Sequence, residues 1–146
     1  MNLIQAIFSS QYTDLKNKNR NTDKGRLNGL IMITMVFFIL LMSVFTLISS
    51  LARNTSIAKE ILGINYIFGT GWLETKLPGL AGAAILFALV YTLFGKKEFY
   101  DSTITIYNEL DEASQLKVKR KGSRALYGAI FVFMVSLFIS LISLGG

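Results

Sequence analysis

The sequence predicts an all-α membrane protein: three transmembrane helices, a short N-terminal amphipathic helix and a helical cytoplasmic loop. Two observations carry that expectation. Of 146 residues, 52% are apolar and only 16% charged, where a soluble domain has roughly a quarter charged. The missing charge is missing in blocks: 26 uncharged residues from Leu27 to Ala52, 19 from Leu77 to Gly95 and 22 from Ala125 to Gly146. A helix rises about 1.5 Å per residue and a hydrocarbon core is about 30 Å thick, so about 20 residues cross it. In lipid a single segment satisfies its own backbone only as a helix, and a soluble core would need polar faces that these blocks lack.

The chain divides accordingly into a basic, amphipathic segment (1–26), a first span (27–52), an external interfacial loop (53–76), a second span (77–95), a charged cytoplasmic loop (96–124) and a third span (125–146). Five basic residues precede the first span and seven lie between the second and third, against three (Arg53, Lys59 and Lys76) between the first and second. Short basic flanks stay in the cytoplasm. Residues 1–26 and 96–124 are therefore expected inside and the C-terminal end outside, in a bacterial inner (cytoplasmic) membrane. Ser50-Leu51-Ala52 has the small-residue look of a signal cleavage site. The apolar stretch before it far exceeds a signal h-region of roughly 7–15 residues, so an anchor that stays is expected.

Leu3, Ile4, Ile7, Phe8, Tyr12 and Leu15 fall on one helical stripe, with Asn2, Gln5, Ser9, Thr13 and Asp14 opposite. That pattern suits a helix lying on the inner membrane surface beside the basic run; a frayed end or a helix docked on a partner is the alternative. The first span is bulky throughout. In the outer loop, Ser56 is placed to cap a short helix over 57–62 that Gly63 would end. Tyr66, Phe68 and Trp72, interleaved with glycines, read as interfacial anchors. Asn54-Thr55-Ser56 matches a glycosylation sequon but sits too close to the membrane for a transferase.

Small residues form one stripe on the second span (Ala81, Ala84, Ala88, Thr92 and Gly95) and another on the third (Ala129, Ser136, Ser140 and Ser143). Helices in lipid associate where small side chains let backbones approach, so these stripes are expected to form the seam between the two spans. In the inner loop, Phe99, Thr103, Ile106, Leu110 and Ala113 give a helical face, which Gly122 is expected to end. Glu109, Asp111 and Glu112 make an acidic patch for partner contact. Lys117, Lys119, Arg120 and Lys121 make a basic one that fixes topology or meets anionic lipid headgroups.

There is no cysteine or histidine, no charge inside any span and no nucleotide-binding glycine motif. Disulfides, haem, usual zinc sites, proton relays and intramembrane proteolysis lose their residues. No catalytic, metal or cofactor residue is nominated. The partners expected are the bilayer and other membrane protein subunits, with no nucleic acid. The function expected is that of a non-catalytic subunit or accessory protein of a larger membrane complex. A homo-oligomeric channel, transporter or holin-like pore is the alternative, and a small lipid-directed enzyme a more distant one.

Overall fold

A computed structural model of the chain describes residues 1–52 and 72–142, with side chains at 1–48 and 79–142. Among these, every regular element is an α-helix: α1 (Leu3–Asn17), α2 (Lys24–Ala52), α3 (Trp72–Phe94), α4 (Lys97–Asn108) and α5 (Glu112–Ile142). Two of them, α2 over Lys24–Ile48 and α5, are long and apolar enough to cross a membrane. A third candidate is α3 with α4, joined through a 66° bend at Gly95–Lys96. All three long helices begin before the uncharged blocks do. A charged side chain does not end a helix, so the regular backbone starts ahead of the uncharged block in each case.

The first helix is built from strong local signals. Asn2 and Gln5 form a reciprocal capping box: the Gln5 N–H donates to Asn2 Oδ1 at 2.8 Å and the Asn2 N–H to Gln5 Oε1 at 3.0 Å. The helix ends in a Schellman turn. Asn19 adopts φ 50°, the Arg20 N–H donates to the Leu15 carbonyl and the Asn19 N–H to that of Lys16.

The expected stripe buries Ile7, Phe8 and Leu15, but Ala6, Ser9 and Ser10 are buried with them, while Leu3 is 43% exposed. The helix is therefore not laid on a surface by one face. It is enclosed among α2, α4 and α5. Burial of its serine side is possible because the hydroxyls have partners: Ser9 donates to the Gln5 carbonyl of its own helix at 2.9 Å, and Ser10 pairs with Ser123 of α5 at 2.9 Å.

Glycines set the seats for this helix. Gly25 and Gly29 lie one turn apart on α2. A Cβ at Gly29 would lie 2.7 Å from Phe8 Cε1, and one at Gly25 would strike the Tyr100 hydroxyl. Gly122 does not end a helix, as its sequence context suggested; α5 runs through it without interruption. Its hydrogen faces α1, where a Cβ would collide with the Ala6 carbonyl and come within 2.9 Å of Ser10 Cβ. A single glycine costs a helix only ~1 kcal/mol, which close packing against α1 readily offsets.

The core comprises Ile7, Phe8, Leu30, Ile33, Val90, Tyr100 and Ile104, with Phe87, Phe94 and Phe99 against it. Phe8 is at its centre, edge-on to Phe99 (6.1 Å between centroids) and Tyr100 (5.6 Å). The buried face of α4 is Tyr100, Thr103, Ile104 and Tyr107. Of the expected face, Thr103 is buried and Phe99 and Leu110 are half-buried, Phe99 against the core, whereas Ile106 is 43% exposed and Ala113 is exposed. Tyrosine rings take the place of aliphatics because their hydroxyls find acceptors and donors: Tyr100 donates to the Thr22 carbonyl at 3.1 Å, and Tyr107 accepts from Thr13 at 3.0 Å.

The core gathers at one end of the bundle, where residues 1–26 meet the 96–124 region. Arg26 Nη1 donates to the Gly95 carbonyl at the end of α3 (3.2 Å), and Lys119 pairs with Asp14 at 3.2 Å. Away from that end, α2, α3 and α5 present apolar side chains outward, among them Leu41, Leu80 and Phe138.

Candidate interaction surfaces

The two small-residue stripes do not meet. The helix on which α5 packs most extensively is α2, and α3 also rests on α2, leaving at most marginal contact between α3 and α5. Of the α3 stripe, Ala81, Ala84, Ala88 and Thr92 are exposed and Gly95 is buried. On α5, Ala129 and Ser136 are buried and Ser140 is half-buried. The expected seam assumed that small faces pair with each other. Instead α2 packs on both α3 and α5; a face of small residues admits a close neighbour without requiring that the neighbour be small. Thr92 and Ser136 return their hydroxyls to their own helices, at Leu89 O (2.8 Å) and Val132 O (2.9 Å). Tyr66, Phe68, Ser143, the segment 57–62 and the sequon at 54–56 lie outside the described residues; for Trp72 only the backbone, which opens α3, is described.

The acidic trio sits where a helix begins. Asp111 Oδ2 accepts the Ser114 N–H at 3.1 Å, and Glu112 occupies the first turn of α5. Carboxylates there offset the positive end of the helix dipole and satisfy free N–H groups. Glu109, Asp111 and Glu112 are all exposed. The Ser114 hydroxyl, then its backbone N–H, hold Asp111 below the usual carboxylate range. A depressed carboxyl pKa stabilises the folded state above the unfolded pKa, and this contribution is lost as pH falls through the folded value. Thermal unfolding of Asp111→Asn, which caps without titrating, should therefore lose less stability than the native chain between pH 7 and pH ~3. Identical pH profiles would remove the cap assignment.

The basic patch splits in two. Lys119 turns toward α1 and pairs with Asp14. Lys117, Arg120 and Lys121 share the opposite face with Arg124, and these four with Ala125 surround an open groove of about 520 Å³. Among the described residues none of the four pairs with a carboxylate; Lys121 donates to the Met1 carbonyl at 3.2 Å. Arg124 was not singled out in the sequence, although its spacing of three from Lys121 and seven from Lys117 puts it on their face. Nor were Gly25 and Gly29, whose G-x-x-x-G spacing is a signal for close helix approach.

Among the described residues no three carboxylates converge as a metal cage requires. Comparisons with protein-family models, with curated proteins and with solved structures match this chain to none of them.

Proposed function

We propose that this chain is a non-catalytic integral membrane subunit or accessory protein of a larger membrane complex. In this reading α2, α3 and α5 supply three spans in a bacterial cytoplasmic membrane, with residues 1–26 and 96–124 inside and the 53–76 loop and C-terminal end outside. The observation that carries it is the exposed row Ala81, Ala84, Ala88 and Thr92 on α3. Small residues facing lipid gain nothing from their size, whereas facing another helix they permit close packing. The buried knot of α1, α2, α4 and α5 supplies a rigid base, and α3 presents the free face. A channel, transporter or holin-like pore built from several copies would use the same face. Ser136 favours the first reading, since it is buried and bonded to its own helix instead of lining an open path.

Crosslinking in native membranes before extraction, followed by pull-down and mass analysis, separates the two. Foreign membrane subunits recovered with the native chain, and lost with Ala84→Leu/Ala88→Leu, are the expected result. Recovery of the chain with itself alone would move the reading to the homo-oligomer.

Orientation is tested by introduced cysteines, as the chain has none of its own. In intact cells an impermeant thiol reagent should label Thr55→Cys and spare Ser114→Cys. The opposite pattern overturns the orientation.

A further inference from the structure

We infer that the outer face of α5 holds one anionic phospholipid, with its phosphate in the basic groove and an acyl chain laid along the helix below it. The inference rests on the membrane reading above. Its basis is the register of a single face. Lys117, Lys121, Arg124, Gly128, Phe131, Val135 and Phe138 follow at intervals of three or four, and all are exposed. They lie opposite Gly122, Ala129 and Ser136, the buried side of the same helix.

The face changes character once, abruptly. Above residue 125 it is cationic: Lys117, Arg120, Lys121 and Arg124 extend over about 10 Å of helix axis, around the groove of about 520 Å³. Below it there is no charge, and Phe131 and Phe138 are 69% and 65% exposed. At the junction stands Gly128, where an added Cβ would meet nothing within 4 Å. Cation cluster, notch and apolar track follow the order of phosphate, glycerol and acyl chain in a phospholipid. Basic pockets at the cytoplasmic edge of membrane helices take anionic headgroups in this way. The usual competitor, an internal carboxylate, goes to Lys119 instead, through Asp14. With Lys119 neutralised on the α1 side, the outer four keep their charge among the described residues, Lys121 reaching only the neutral Met1 carbonyl.

The test uses the full chain reconstituted in phosphatidylcholine vesicles with a minor fraction of cardiolipin, then extracted gently for native mass spectrometry. The native chain should retain cardiolipin in preference to phosphatidylcholine. Lys121→Gln/Arg124→Gln should weaken retention on the order of thirtyfold, from ~1 kcal/mol per basic residue at an anionic surface and tenfold per ~1.4 kcal/mol. Lys16→Gln/Lys18→Gln removes the same charge at exposed positions of the N-terminal segment and should change retention less than about twofold, as the surface field alone is screened within a Debye length. Gly128→Leu keeps every charge, fills the notch and should also weaken retention.

Equal losses from the two lysine-containing pairs would overturn the site in favour of a general surface field. Displacement of the lipid by an equal concentration of inorganic phosphate would overturn it in favour of a soluble anion. A Gly128→Leu variant that retains lipid fully would remove the notch and with it the proposed pose. Failure of the membrane reading is read separately: the chain would then wash off the vesicles with urea before any lipid is counted.

Discussion

Gly122→Ala is expected to lower the stability of this protein by roughly 1–3 kcal/mol, the cost of overpacking a close contact. In a helix interior the same change normally stabilises by about 0.5–1 kcal/mol, because alanine has the better helix propensity. The sign reverses at this position because the new methyl would enter the Ala6 carbonyl and crowd Ser10 Cβ at 2.9 Å. Both partners belong to a capped helix with buried neighbours, so neither moves aside freely. Gly128 is the internal control, six residues along the same helix with open space around it. Gly128→Ala should raise stability in detergent by about 0.5–1 kcal/mol. Thermal unfolding of both variants in one detergent measures the difference. A stabilising Gly122→Ala would mean that α1 is not seated on α5.

The second large effect is expected at Phe8. Its ring is fully buried, seated on Gly29 and edge-on to Phe99 and Tyr100. Phe8→Ala should cost about 3–5 kcal/mol, combining lost burial with a cavity at the centre of the core. Phe131→Ala, removing an equally large ring that is 69% exposed, should fall within about 0.5 kcal/mol of the native chain. This pair separates two placements of α1. A helix lying on the membrane surface would lose membrane affinity at Phe8→Ala but little bundle stability. A helix enclosed by the bundle loses the bundle.

The same logic changes what Ala84→Leu and Ala88→Leu mean. On sequence spacing they should disrupt an internal seam. On an exposed face they should leave the isolated chain within about 0.5 kcal/mol of native stability and act only on whatever packs there. Their effect on partner recovery is then separable from their effect on folding.

The sequence by itself determined the helical class, the position of the uncharged segments and the grouping of basic residues around residues 1–26 and 96–124. These are one-dimensional properties: lipid and water sort segments by composition and length, and the 26-, 19- and 22-residue blocks can be read without knowing any neighbour. It also carried the α1 stripe, since Ile7, Phe8 and Leu15 are buried as periodicity requires. The tertiary structure alone decided which faces meet. Periodicity says that a face is apolar or small, not what lies against it, and inside a bilayer lipid and protein neighbours are equally apolar. Ala88 and Ala129 look alike in sequence, yet one is exposed and the other buried. Gly122 reads as a helix breaker until the Ala6 carbonyl is placed above it. Nothing in the sequence singles out Tyr100 and Tyr107; both are buried, with the Thr22 carbonyl and the Thr13 hydroxyl within reach of their own hydroxyls. Each of these outcomes depends on a backbone or a polar partner distant in sequence, and only the folded chain brings the two together.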